Sequence, residues 1–354
     1  MRDRFIQTLL LPFSLLFGAG IWMRNLLYST GIVKSTSFDI PIIGVGNLTL
    51  GGAGKTPHVE YLIRLLSPFL QVATLSRGYK RKTKGFRLVH RRDNALSVGD
   101  EPLQYFLKYP HVRVAVSESR SIGIPMMLSQ HPEIQTILLD DSYQHLSVTP
   151  GLNILLTEYD SPYSDDVLLP AGRLREWRSG ASRADVIVVS KCPDTLSPEE
   201  RKDMHHRLKI ESHQQLFFSK YIYGKLYHMI NGSRADISDF DAVILVSAIA
   251  NENYLYRYVA GQNPNVHTMS FEDHHLFSPH EMSILKQQYD HLSETQNVAI
   301  ISTEKDATRL ILHRDFILQA KLPLHILPVQ VAFLDEDKKG FDDTVKSFLI
   351  NFKY

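Results

Sequence analysis

The run Phe38-Asp-Ile-Pro-Ile-Ile-Gly-Val45, continued by Gly46-Asn-Leu-Thr-Leu-Gly-Gly-Ala-Gly-Lys-Thr56 and Pro57-His-Val-Glu-Tyr-Leu-Ile-Arg-Leu-Leu66, decides the fold. Its first part is apolar, of strand length, and ends in Gly44, Gly46 and Asn47, which reads as a buried strand entering a loop. Its last part places Val59, Leu62, Ile63 and Leu66 on one helical stripe, with Pro57 in the tolerated first turn. Between them, Thr49 to Thr56 fits the Walker A pattern at Gly54, Lys55 and Thr56, with Thr49 where a first glycine is usual. Glycines suit such a loop because backbone N–H groups must turn toward phosphate oxygens, and a Cβ would obstruct them. Thr49, Leu50, Gly51, Gly52, Ala53, Gly54, Lys55 and Thr56 are therefore expected to cradle ATP. Lys55 would neutralise the β- and γ-phosphates and the Thr56 hydroxyl would hold Mg2+. A chance glycine-rich turn is the competing reading, and the flanking strand and helix argue against it.

Working outward, Val72–Leu75, Val112–Val116, Ile134–Leu139, Leu152–Leu156 and Val186–Val189 are apolar runs alternating with helical stretches such as Gly123–Ser129. That alternation indicates an α/β fold with a parallel sheet covered on both faces, of the P-loop NTPase type. The strand Ile137-Leu-Leu-Asp-Asp141 ends in two carboxylates, and a strand-end aspartate downstream of a P-loop serves magnesium. Either Asp140 or Asp141 fits. Ser197-Pro-Glu-Glu200 and Ser278-Pro-His-Glu281 read as capped helix starts. Phe217–Tyr223 and Leu226–Ile230 read as a hairpin turning at Gly224-Lys225, after which strand and helix alternate again. The expected division is a membrane-associated helix over 1–30, a P-loop domain over 31–215, a two-stranded linker over 216–232 and a smaller α/β domain over 233–354. Late strands near His325–Phe333 would return toward the linker.

At 354 residues and 44% hydrophobic content, the chain is long enough for two cores. Lys plus Arg number 39 against 38 Asp plus Glu, a net charge of +1 that gives no global reason for nucleic-acid binding. The single cysteine, Cys192, excludes an internal disulfide. From Phe5 to Met23 no residue is charged, close to the length that spans a bilayer. A signal peptide starting at Met1-Arg-Asp-Arg4 lacks a small-residue cleavage site, and Pro12, Gly18 and Gly20 weigh against a spanning helix. Arg4, Gln7, Ser14, Gly18 and Asn25 form a narrow polar or small stripe opposite a broad Leu/Phe/Trp face, which favours a helix lying in a membrane interface over a buried core helix.

Arg77, Lys80, Arg81, Lys82, Lys84, Arg87, Arg91 and Arg92 make a run without an acidic residue. It reads equally as a solvated face, with an exposed hairpin at Phe86–Val89, or as a surface for anionic headgroups. Arg77, beside Gly78 after a strand, is the candidate active-site cation. His205-His206 and the region of His228 show no trusted metal-ligand spacing.

Together, Val45-Gly-Asn-Leu-Thr-Leu-Gly-Gly-Ala-Gly-Lys-Thr-Pro57, Leu75-Ser-Arg-Gly-Tyr79, Gly99-Asp-Glu-Pro102, Asp140-Asp-Ser-Tyr-Gln-His145, Leu169-Pro-Ala-Gly172 with Leu174-Arg-Glu176, Asp273-His274 and Thr303-Glu-Lys-Asp306 resemble the tetraacyldisaccharide 4'-kinases of lipid A assembly. Ser142, Arg173 and Trp177 depart from that pattern. The resemblance implies two lobes joined by a two-stranded linker, with nucleotide in the cleft. The implied donor is ATP with Mg2+, the acceptor a lipid A disaccharide 1-phosphate, and the place the cytoplasmic face of the inner membrane. A monomer is expected. It further implies that Asp100 pairs with His274 to accept the hydroxyl proton, that Lys55 and Arg77 neutralise the γ-phosphate, and that Thr56, Glu176 and Asp140 or Asp141 serve magnesium. Gln144 and His145 would orient a carboxylate or touch substrate. Two rivals are a GTPase or metallocentre-assembly NTPase, for which Ser190-Lys-Cys-Pro-Asp194 is a loose guanine-reading match, and a non-catalytic nucleotide-dependent membrane scaffold.

Overall fold

The structure, a computed structural model, describes residues 2–353, with side chains from Ile6 onward. Two sheets organise it. The larger contains β1 (Ile42–Asn47), β2 (Val72–Ser76), β3 (Arg87–Leu88), β4 (Arg113–Val116), β5 (Thr136–Asp140), β6 (Leu152–Glu158), β7 (Val186–Ser190) and β8 (Gln215–Tyr223). The smaller contains β9 (Leu226–His228), β10 (Arg234–Ala235), β11 (Ala242–Ser247), β12 (Val266–Ser270), β13 (Val298–Thr303) and β14 (Leu324–Leu327), and β15 (Val329–Phe333) rejoins the larger. The larger sheet has the order β15-β8-β7-β6-β1-β5-β2-β4-β3, antiparallel only at its two edge pairs. Every residue of β1 is buried, as a strand covered on both faces must be. Ile43 and Val45 pack with Val59, Leu62 and Leu66 of the phosphate-loop helix (Lys55–Leu66) on one face. Ile42 packs with Ile124 and Met127 on the other. Since β1 lies between β5 and β6, a crevice opens beyond its carboxyl end, where ligands bind in such sheets.

The expected hairpin at Gly224-Lys225 does not form. Tyr223 ends a strand whose partner is β15, with Ser219–Tyr223 opposite Phe333–Val329, whereas β9 pairs with β14 and β10 in the smaller sheet. Gly224 N–H donates to Pro328 O at 2.9 Å, so the turn hands the chain from one sheet to the other instead of reversing it. The two-stranded connection is thus β8 with β15. Chain beyond it returns to the larger lobe: the helix Asp337–Ile350 puts Phe341 into that lobe's core, and Tyr61 Oη donates to Asp342 at 2.7 Å. A single smaller unit over 233–354 therefore includes a helix that packs elsewhere. The Phe86–Val89 hairpin is also absent, because Arg87–Leu88 finds its partner in β4.

The amino-terminal helix, Arg2–Ser29, has its apolar face outward, with Leu16 72% and Trp22 58% exposed, which excludes a buried core helix. The middle of its polar stripe, Ser14 and Gly18, meets protein. Ser14 Oγ donates to Leu168 O at 3.0 Å and accepts from Ala171 N at 3.0 Å, and Trp177 Nε1 donates to Gly18 O at 2.8 Å. Gly18 permits that approach, since a Cβ there would lie 2.4 Å from the Trp177 ring. Small side chains let the helix close on the loop carrying Trp177, so the stripe is a docking face. Arg4, also assigned to the stripe, lies outside the described side chains.

Candidate functional site

The loop after β1 starts the phosphate-loop helix with Gly54 as its cap at φ +85°, a conformation glycine tolerates and other residues resist. Thr49 to Thr56 line a cleft of about 700 Å³ that runs between the two lobes. Lys55 Nζ is poised at its floor, 3.0 Å from Asn47 Oδ1 and 3.5 Å from Asp141 Oδ1. The free N–H groups of a helix start and an ammonium beside them make a receptor for phosphate oxygens.

The two strand-end carboxylates occupy different environments. Asp141 receives Arg175 on both oxygens, at 2.9 and 3.1 Å. Burial alone would push its carboxyl up, but Lys55 and Arg175 outweigh burial and hold it well below the usual carboxylate range. Asp140 is buried; its Oδ2 accepts from Tyr105 Oη at 2.9 Å, while Oδ1 has no partner. Burial and the neighbouring Asp141 charge raise its carboxyl against the opposing pull of Lys55. An orphaned buried carboxylate oxygen in the same cleft as the Thr56 hydroxyl fits a divalent cation, which would satisfy it.

Glu176 stands apart from these groups. It is fully buried, both its oxygens accept from Arg183 at 2.9 Å, Gln144 Nε2 donates to Oε1 at 3.0 Å, and it is absent from the cleft lining. Its charge is spent on the loop's own arginine. Gln144 therefore orients Glu176 and the Asn47 carbonyl, and neither aspartate. His145 does face the cleft, and burial, with Arg120 and Arg77, lowers its imidazole to about 4. Arg77 lies exposed in the lining, with no hydrogen-bond partner among the described residues.

Across the cleft, Asp100 opens the helix Asp100–Lys108 of the larger lobe, and His274 lies in the loop after β12 of the smaller. His274 Nδ1 is 2.7 Å from Asp100 Oδ2, and the two are 174 residues apart in sequence. Burial works against ionisation of Asp100, yet the His274 contact and the Lys305 charge hold its carboxyl far below its ordinary range. Glu101, withdrawn from water and beside the Asp100 carboxylate, is pushed up to about 7. Asp273 reaches Lys305 Nζ at 3.1 Å, whereas His275 turns away to Glu281. His205 and His206 face each other on a surface helix.

Sequence reasoning missed Arg175, Asn47, Tyr105 and Lys305, which set the charge balance around the site. Three of them sat inside stretches already singled out, but nothing local says which carboxylate a long cationic side chain will choose. The guanine-reading match fails in three dimensions, because Asp194 is 89% exposed and paired with Lys220, and Lys191 is bound to Glu158 at 2.8 Å.

Comparison with known proteins agrees with this geometry. The model of the tetraacyldisaccharide-1-P 4'-kinase family matches residues 6–349. A tetraacyldisaccharide 4'-kinase of Flavobacterium johnsoniae is 43% identical over 349 residues, 97% of either chain. Another from Phocaeicola vulgatus is 39% identical over 350 residues, 97% of this chain and 95% of that one. Among solved structures, LpxK from Aquifex aeolicus in complex with ATP superposes with a TM-score of 0.72 at 28% identity, covering 97% of this chain and 99% of that chain.

Proposed function

The chain belongs to the tetraacyldisaccharide 4'-kinase family, and we propose that its interlobe cleft performs the family's transfer with the residues described above. It is an ATP-dependent kinase of lipid A biosynthesis that phosphorylates the 4'-hydroxyl of the disaccharide 1-phosphate, with Mg2+ as partner of the nucleotide. The loop amides from Gly51 to Gly54 and the Lys55 ammonium hold the β- and γ-phosphates, and Arg77 adds charge at the mouth. Thr56 and Asp140 would hold the cation, which would neutralise charge on the transferring group. Asp141, locked to Arg175, keeps Lys55 in place.

During transfer the acceptor's 4'-oxygen forms a bond to the γ-phosphorus while the bond to the bridging oxygen of ADP breaks. The hydroxyl proton passes to the Asp100–His274 pair. The contact at 2.7 Å between these two groups, one from each lobe, with His274 lining the same cleft as the phosphate loop, carries this reading. A base assembled from two lobes exists only when the cleft is closed, so closure precedes chemistry.

The exposed apolar face of the amino-terminal helix supports a protein that lies on the cytoplasmic face of the inner membrane, where its lipid acceptor and ATP meet. It would act there as a monomer. Labelled ATP mixed with the lipid disaccharide in detergent micelles tests the whole reading. Lys55→Ala and Asp100→Ala should each lower turnover by about 10²- to 10⁴-fold with the fold intact. Near wild-type transfer by either would overturn the assignment, and no transfer by wild type would favour a scaffold.

A further inference from the structure

Asp100, Glu101 and His274 each offer a ligand atom, all within 4.8 Å of one another, an arrangement that could hold a metal ion. A cation from the protein already stands there. Lys305 Nζ is 3.1 Å from Glu101 Oε1, 3.1 Å from Asp273 Oδ1, 4.0 Å from Asp100 Oδ2 and 3.2 Å from His274 Nε2. An ammonium has three donors and no acceptor, so the ring nitrogen facing it must present its lone pair. The proton of the neutral imidazole then sits on Nδ1, where it is donated to Asp100 Oδ2. We propose that Lys305 is a positioning residue: its ammonium fixes the His274 ring with Nδ1–H toward Asp100, so that the imidazole holds the Asp100 carboxylate ready to take the hydroxyl proton when the lobes meet. This rests on the proposed role of the Asp100–His274 pair.

Lobe membership makes the device conditional. Lys305, in the helix Glu304–Leu310, and His274 and Asp273 belong to the smaller lobe, whereas Asp100 and Glu101 arrive from the larger. Closure therefore brings two carboxylates against an imidazole. Without Lys305 that imidazole would face Asp100, Glu101 and Asp273, the Tyr79 ring at 4.8 Å would remain its neutral wall, and the other cations would be Arg309, 3.7 Å from Asp100, and Lys80, spent on the Asp273 carbonyl at 3.1 Å. Carboxylates around an imidazole raise its proton affinity. Its two ring nitrogens would then both face carboxylates, with no donor to hold the Nε2 lone pair in place. Lys305 opposes this by placing a fixed positive charge at the second nitrogen. The Glu101 carboxyl, pushed up to about 7 by burial and then by the Asp100 charge, fits the same crowding.

The test is the pH dependence of turnover for Lys305→Met. Removing a cation moves the affinities of Asp100 and Glu101 for protons upward, so the acid limb of kcat should shift up by about one pH unit or more. At pH 7 kcat should fall about tenfold or more and recover toward wild type by pH 9, with KM for ATP within about threefold. Lys305→Arg should restore part of the profile. A loss equal at every pH, or no loss, would overturn the proposal. If the methionine variant does not fold, the imidazole nitrogen resonances of His274 in the wild-type complex with Mg2+ and a non-hydrolysable ATP analogue decide it: Nδ1–H supports the proposal, and Nε2–H or a doubly protonated ring refutes it. Asp100→Asn tells this from failure of the underlying reading, since an active Asp100→Asn would remove the base itself, whatever Lys305 does.

Discussion

Lys108→Met should open the cleft more than it unfolds the protein. Lys108 Nζ donates to Glu60 at 2.6 Å and to Glu304 at 2.8 Å, and the two carboxylates are 1% and 8% exposed in their side chains. Glu60 lies in the phosphate-loop helix of the larger lobe and Glu304 starts the Glu304–Leu310 helix of the smaller, so one ammonium joins the lobes. Both acceptor oxygens sit against one nitrogen and are therefore no more than about 5.5 Å apart. With the ammonium gone, their repulsion at an effective dielectric constant near 20 is about 3 kcal/mol, equivalent to roughly a hundredfold in an equilibrium constant. Glu60 keeps Gln104 at 2.8 Å and Arg64 at 3.9 Å, while Glu304 loses its cation and needs only lobe opening to reach water. The strain therefore falls on closure. Energy transfer between dyes on the two lobes, with Mg2+ and an ATP analogue bound, should report a closed population reduced by up to about a hundredfold, and kcat should fall in parallel. Adding Glu304→Gln should restore most of it. The reasoning fails if the closed population is unchanged, if urea unfolding rather than opening absorbs the 3 kcal/mol, or if Glu304→Gln gives no recovery.

Asp140→Asn should lower kcat by about a hundredfold or more while leaving the melting temperature in Mg2+-free buffer unchanged or higher. The sign follows from the raised Asp140 carboxyl: its charged form is disfavoured in the folded state, so wild type gains stability as pH falls through its folded value, and the asparagine variant lacks that gain. A lower melting temperature at pH 7 would contradict it. Gly18→Leu puts a side chain where a Cβ alone is 2.4 Å from Trp177, so the amino-terminal helix should leave its seat at a cost of about 1–3 kcal/mol. Limited proteolysis near residue 30 should quicken while ATP affinity stays the same, and an unchanged cleavage rate would sink the docking-face reading.

What was legible in the sequence is what local order specifies. Strand, glycine loop and helix are contiguous, so the phosphate site and its first strand could be read directly, as could the capping boxes at Ser197 and Ser278, both of which form. The Asp100–His274 contact joins groups far apart in the chain, and only family resemblance pointed to it. Period identifies which residues share a face and leaves open what that face meets: the Ser14 and Gly18 stripe was read as the wet side of an interfacial helix and instead grips Leu168, Ala171 and Trp177. A turn signal has the same ambiguity. Gly224-Lys225 bends the chain as expected, but alternation in Phe217–Tyr223 cannot distinguish a neighbour from a strand a hundred residues onward, and β15 is the partner. Glu176 shows a third ambiguity, since a motif does not say which arginine a carboxylate near a phosphate site will meet, and here it meets Arg183.

The groups proposed to grip phosphate, the loop amides and Lys55, and the Asp141–Arg175 pair that holds Lys55, all belong to the larger lobe and were mostly readable from short motifs. Groups that complete the base and hold the lobes together, His274, Lys305 and Glu304, come from the smaller lobe and act through partners on the Asp100–Lys108 and phosphate-loop helices. On the proposed roles, nucleotide capture and base assembly fall to separate residues. Substitutions in the first set should raise KM for ATP whether the cleft is open or closed, whereas those in the second should lower kcat and leave nucleotide binding to the open form intact. The many ionised side chains between the lobes suit this division, because charge pairs that water can satisfy on opening permit repeated closure where an apolar seam would resist parting.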